Sequence, residues 1–126
     1  MNFIIKNRVH DFWNEKSCGE DLYLKNDDMK SFYDQQKVRY ELEPYILDFL
    51  KFDNNKSKVL EIGVGLGADH LQLALAGHDL YGIDLTNRAI RKTIKRFEQL
   101  NLKSDLRVGD AECLGFEDNY FDNVYS

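Results

Sequence analysis

Three carboxylates and three glycines are the residues of this chain whose spacing points to chemistry. Glu61 stands two residues before the first of Gly63, Gly65 and Gly67, Asp84 follows Gly63 by 21 positions, and Asp110 comes after a further strand-like segment. Glycines two apart at the end of an apolar run remove side chains where the backbone must bend, and they let a ligand touch the main chain. A carboxylate about 20 residues beyond such a turn can accept hydrogen bonds from both vicinal hydroxyls of a ribose. The run Gly63-Val64-Gly65-Leu66-Gly67-Ala68 also satisfies the dinucleotide pattern G-x-G-x-x-A, which leaves a nicotinamide cofactor as the alternative. Glu61 separates the two readings, because a carboxylate beside the turn repels a pyrophosphate and attracts an ammonium or sulfonium.

These residues need elements to hold them, and the local pattern supplies a parallel sheet. Lys58–Ile62 reads as a strand, and the next helix, Asp69–Ala76, is closed by Gly77 as its C′ residue. A second strand, Asp79–Asp84, precedes Thr86 as N-cap of a helix with Ile90, Ile94 and Phe97 on one face. Strands at Asp105–Val108 and Phe121–Ser126 complete the pattern. Alternating strands and helices with short connections imply an α/β fold with a doubly wound parallel sheet, in which ligands sit at the carboxyl ends of the strands. Upstream, a helix is expected from Asp28 to about Leu42 and a second from Glu43 or Pro44 to Leu50, its apolar side made by Tyr45, Ile46, Phe49 and Leu50. Residues 1–27 mix aromatics with charge and show little periodicity.

Acid before the glycine turn, after the second strand and after the third favours S-adenosylmethionine, which bears two cations and an adenosine but no phosphate. At this point the sequence resembles the class I S-adenosylmethionine-dependent methyltransferases of the small-molecule type, which have a Rossmann-like fold. The resemblance rests on Val59-Leu60-Glu61-Ile62-Gly63-Val64-Gly65-Leu66-Gly67, on Gly82-Ile83-Asp84-Leu85-Thr86, on Gly109-Asp110-Ala111-Glu112-Cys113-Leu114-Gly115-Phe116, and on Phe121-Asp122-Asn123-Val124-Tyr125-Ser126. Phe12-Trp13-Asn14-Glu15 with Cys18-Gly19, and Arg39-Tyr40 before Glu43-Pro44, resemble less specifically the N-terminal cap of some of these enzymes.

The resemblance implies a division into a helical cap over residues 1–56 and a cofactor-binding core over residues 57–126. It implies S-adenosyl-L-methionine as cofactor, S-adenosyl-L-homocysteine as product and a small-molecule acceptor. By position, Glu61 would face the methionine amino end, and Gly63 and Gly65 would let the backbone pack beside it. Asp84 would hold the ribose hydroxyls with Leu85 against the adenine. Asp110 would accept from the adenine amino group, Ala111 would offer a backbone N–H, and Tyr125 and Ser126 would line the methyl-transfer region. The family's sheet continues beyond a fourth strand, so the chain reads as an N-terminal part truncated there, able to hold cofactor but poor at transfer by itself. A nicotinamide oxidoreductase and a non-catalytic adenosyl-binding module are the alternatives.

Other residues have plainer readings. Asp69 is as readily a helix-dipole partner as a cofactor contact. His70 is read as structural. Trp13, Tyr33 and Tyr40 are taken as core rather than as a roof over the cofactor, and the basic positions Arg88, Arg91, Lys92, Lys95 and Arg96 as a solvated helix face. A chain of 126 residues, 43% hydrophobic, can bury one core, and its net charge of −5 argues against a nucleic-acid backbone or an anionic membrane as partner. Cys18 and Cys113 lack metal-site spacing and read as reduced thiols of a cytoplasmic protein. The opening Met1–Ile5 lacks a secretory apolar run, and no segment suits a bilayer span. In the family's strand order the fourth strand is an edge, and its apolar Phe121 and Val124 lead to the expectation of a two-fold dimer through it.

Overall fold

A computed structural model of the chain describes residues 2–17, 20, 24, 26–52 and 56–126. Among the described residues the elements that come first are the helices α1 (Phe3–Glu15), α2 (Met29–Leu42) and the single turn α3 (Ile46–Phe49). The chain then alternates through β1 (Lys58–Ile62), α4 (Ala68–Leu75), β2 (Asp79–Asp84), α5 (Asn87–Gln99), β3 (Asp105–Val108) and β4 (Asn123–Tyr125). All pairings are parallel, in the order β3-β2-β1-β4. That order brings the carboxyl ends of β1, β2 and β3 to one side of the sheet, where the glycine loop leaves β1.

Strand alternation divides the residues between the two faces. Val59 and Leu80, opposite each other in the β1–β2 register, pack with Leu71 and Leu73 of α4, Phe97 of α5, and Ile46 and Leu50 around α3. On the other face Tyr81 meets the rings of Phe116, Tyr120 and Phe121, with centroids 5.2–6.0 Å apart. Among the described residues no helix is long and apolar enough to cross a membrane.

The sheet and its helices follow the sequence pattern; the flanks depart from it. Residues 3–15 form α1, a helix that the weak periodicity hid because none of its residues is buried. Asn2 caps it, its side chain accepting from the Ile4 N–H at 2.8 Å. The expected helix from 43 to 50 contracts to α3, with Ile46 and Leu50 buried but Tyr45 and Phe49 exposed. The fourth strand shortens to 123–125, and the Asp122 just before it is tied to the start of β1: its carboxylate accepts from the Lys58 N–H at 2.7 Å and its own N–H donates to the Lys58 carbonyl. Cys18, Gly19 and Tyr23, all singled out in the sequence, lie outside the described residues.

Helix α5 needs a larger correction. Ile94 is exposed, whereas Arg96, assigned to the solvated face, is only 2% exposed. Its guanidinium donates to Gln35 Oε1 (2.8 Å), the Leu66 carbonyl (3.0 Å), the Phe32 carbonyl (3.0 Å) and Gln36 Oε1 (3.2 Å), and it lies over the Phe32 ring. Burial without a carboxylate partner lowers its pKa to about 10. Arg88 and Lys92 are engaged too, on Glu20 and, for Lys92, on Asp27. The basic face is therefore largely the surface on which the N-terminal segment docks.

Candidate functional site

At the carboxyl ends of β1, β2 and β3 lies a cavity of about 420 Å³, a size suited to a small-molecule ligand. Its floor comes from the glycine loop. Gly63 and Gly65 have φ of +79° and +57°, the left-handed region that glycine adopts at little cost, and a Cβ built on either would meet no protein atom within 4 Å. The missing side chains thus leave open space over the main chain. Gly67 serves packing instead: a Cβ there would fall 2.8 Å from Thr93 of α5.

Asp84, at the end of β2, is aimed by three donors. Its Oδ2 accepts from the Gly65 N–H at 3.0 Å, and its Oδ1 accepts from the N–H and hydroxyl of Thr86 at 2.9 and 3.0 Å. The glycine turn and the cap of α5 therefore fix one carboxylate between them, with lone pairs left over for a ligand. Beyond β3, Asp110 holds its own loop by accepting from the Glu112 N–H at 2.9 Å. It also accepts from Lys6 Nζ at 2.6 Å, and that ammonium bridges to Glu112 as well. Lys6 keeps the Asp110 carboxyl below its usual range, helped by the Glu112 N–H.

Of the residues chosen from sequence, Gly63, Gly65, Asp84, Leu85, Asp110 and Ala111 meet around this cavity. Glu61 and Tyr125 are not among its lining residues; they stand opposite each other in the β1–β4 register, next to it. Lys6, Val9 and Trp13 of α1 close it from above, at the spacing of one helix face. Lys6 gave no signal in the sequence, because its role depends on a helix that periodicity did not reveal. Trp13, expected in the core, lines the cavity instead, and Tyr33 is exposed. Tyr40 does pack against the core, with its hydroxyl in the network described next.

Two buried carboxyls flank the glycine loop, and they are treated oppositely. Asp69, in the first turn of α4, accepts from Arg39 Nε (3.0 Å) and Nη2 (2.8 Å), Tyr40 Oη (2.8 Å) and Tyr125 Oη (3.0 Å). Burial alone would raise its pKa; Arg39 and the two phenols outweigh that and lower it, so Asp69 is ionised. Among the described residues Glu61 has only His70 as a hydrogen-bond partner. Burial above all, then the charge on Asp69, drives its pKa well up, with Arg39 opposing and Asp84 adding to the rise. Burial likewise lowers the His70 imidazole to about 3, so this pair is neutral where the Asp69 pair is ionic.

Comparisons with known proteins bear on the family and the fold. A family model described as a methyltransferase domain matches residues 59–126. No curated protein matches the sequence. Among solved structures, a protein from Pyrococcus horikoshii OT3 is 26% identical with a TM-score of 0.64, over 90% of this chain and 49% of its own. A SAM-dependent methyltransferase from Methanosarcina mazei is 29% identical with a TM-score of 0.55, over 63% of this chain and 39% of its own. The magnesium protoporphyrin IX methyltransferase of Synechocystis PCC 6803, solved with S-adenosylhomocysteine, shares the fold at 21% identity and a TM-score of 0.62, over 94% of this chain and 56% of its own. The chain thus spans about half the length, or less, of these three structures.

Proposed function

This chain belongs to the methyltransferase domain family, and on that premise we propose that its cavity binds S-adenosyl-L-methionine and serves methyl transfer to a small-molecule acceptor, with S-adenosyl-L-homocysteine as the product. The observation that carries the reading is the Asp84 carboxylate, held by Gly65 and Thr86 beside the open space above Gly63 and Gly65. Adenosine needs a fixed acceptor for its ribose hydroxyls and a wall without side chains, and the site offers both. The cofactor supplies an activated methyl group on sulfur. The protein's part is to bind and orient: Asp84 for the ribose, Leu85 for the adenine face, and Asp110 with the Ala111 N–H for the adenine edge. Lys6 already occupies Asp110, so the adenine amino group would share or replace that contact.

Holding two reactants in line accounts for much of the rate of such a transfer, and an acceptor that is already nucleophilic needs no base from the protein. Calorimetric titration tests the reading: S-adenosylhomocysteine binds and NADH does not. Asp84→Ala weakens that binding by roughly 1–3 kcal/mol, the worth of a hydrogen-bonded charged group. Tighter binding of NADH, or none of S-adenosylhomocysteine, would overturn the proposal.

A further inference from the structure

Glu61 is 3% exposed, and among the described residues only one of its oxygens has a hydrogen-bond partner. Oε2 lies 2.8 Å from His70 Nδ1, and the other ring nitrogen of His70, Nε2, lies 2.7 Å from Ser104 Oγ. Ser104 in turn donates to the Leu80 carbonyl at 2.9 Å. The serine has a single proton, and that bond uses it, so Nε2 must carry the proton it shares with Ser104. Nδ1 is then bare and accepts from a protonated Glu61. The imidazole is completely buried, and it fits because residue 82 is glycine: a Cβ there would lie 2.7 Å from His70 Cε1. Helix α4, strand β2 and the residue before β3 thus hold one carboxyl group by one oxygen. Among the described residues Oε1 accepts from none, although Ile62 and Gly63, the next two residues, line the cavity.

We infer that His70 is a positioning residue for the cofactor's amino group: through Nδ1 it fixes one oxygen of Glu61 and keeps the other for the ammonium of the methionine moiety. The inference rests on the cofactor reading above and assigns a recognition element to its amino-acid end. Besides His70, the ionisable groups acting on Glu61 are Asp69 of α4, Arg39 of α2, Asp84 of β2 and Tyr125 of β4. Arg39 is committed to Asp69, so it does not neutralise Glu61 directly. An arriving ammonium is the charge that can ionise it. The proton balance then runs along the same chain. Glu61 passes its proton to Nδ1, Nε2 gives its proton to Ser104 Oγ, and the serine's own proton goes to water at the half-buried Ser104. The imidazole stays neutral but changes tautomer, and binding releases one proton and tightens as pH rises.

The test compares S-adenosylhomocysteine with 5′-methylthioadenosine, which keeps the nucleoside and lacks the amino acid. Each is titrated into the wild-type chain, His70→Gln and Glu61→Gln, in two buffers of different ionisation enthalpy. Wild type should favour S-adenosylhomocysteine by about tenfold or more, the range for a hydrogen bond to a charged group, and release about one proton on binding it. Both variants should lose that preference and the proton release while binding methylthioadenosine as wild type does. Ser104→Ala, a milder change, should keep the preference in part and alter the pH dependence, so the inference survives a His70 variant that fails to fold. Preference and proton release retained in Glu61→Gln, or equal losses for both ligands in the folded His70 and Ser104 variants, would overturn it. Failure of wild type to bind either ligand would instead overturn the cofactor reading.

Discussion

Between the sheet and helices α4 and α5 the contacts are largely apolar, made by Val59, Leu71, Leu73, Leu80 and Phe97, with the Glu61–His70 pair as a polar exception. The N-terminal helices reach the same core largely through charge. Arg39 of α2 enters the Asp69 network, the α2 backbone and Gln35 receive Arg96, and Glu20 takes Arg88 and Lys92. Apolar packing is a small cluster of Leu24, Phe32 and Leu66 together with Ile46 and Leu50 around α3. Helix α1 buries nothing and is tied to the cavity by Lys6. Apolar contacts are non-directional, and neighbours re-pack around a changed one. Polar contacts in a dry interior need every partner, because an abandoned one keeps its desolvation cost. The sheet can therefore re-pack around a changed residue, whereas the cap attachment depends on each of its polar partners, and that cap contributes Lys6, Val9, Trp13 and Ser17 to the cavity wall.

The sharpest way to break this contrast is to cut one residue of each kind. Asp69→Ala strands Arg39, Tyr40 and Tyr125 together, and should cost about 3 kcal/mol, near the lower end for a broken buried pair because Arg39 is partly exposed. Leu73→Ala in the apolar layer should cost about 2–5 kcal/mol, with a different consequence. Denaturant unfolding followed by ligand binding separates them: the Asp69 variant should lose cofactor affinity in the still-folded state, and the Leu73 variant should lose only stability. Equal losses of affinity would erase the distinction.

A smaller effect should appear in the pH dependence of stability. The folded state holds the His70 pKa at about 3 against an ordinary 6.5, so the unfolded chain takes up the proton first on acidification. Its contribution is full above pH 6.5 and is lost as pH falls toward about 3, with a slope approaching about 1.4 kcal/mol per pH unit. Glu61 works in the opposite sense, since folding favours its protonated form: its contribution is full below the ordinary 4.5 and fades as pH rises through the raised value. Thermal melts across this range should show His70→Phe flattening the acid limb. An unchanged limb would mean that His70 is charged in the fold.

The smallest expected effect concerns the sheet's edge. β4 pairs only with β1 among the described residues, and Val124 is 57% exposed on it. We propose that this edge self-associates as a two-fold dimer, since an unpaired strand invites another. Sedimentation at several concentrations should show dimer in wild type and less of it in Val124→Lys. A monomer throughout would place this edge with the cap's exposed apolar residues, uncovered but inert.

The sequence by itself determined the four strands and their parallel course, because these depend on local turn chemistry and short periodic runs, while the strand order and the meeting of Gly63, Gly65, Asp84, Leu85, Asp110 and Ala111 were implied by its resemblance to a family. Gly63 and Gly65 need no distant partner to take positive φ, and a strand end places its own carboxylate. Tertiary structure alone decided which charges are buried. Arg96 and Ile94 sit on one helix, and only the approach of α2, some 60 residues away in the chain, makes the arginine the inner residue. Asp69 and Glu61 are both acids beside one glycine loop, and nothing in their local sequence says that one is ionic and the other neutral. That difference comes from Arg39 and two phenols gathered from α2 and β4, and from an imidazole seated over Gly82. Burial and charge are sums over neighbours in space, and a linear pattern reports only neighbours in sequence.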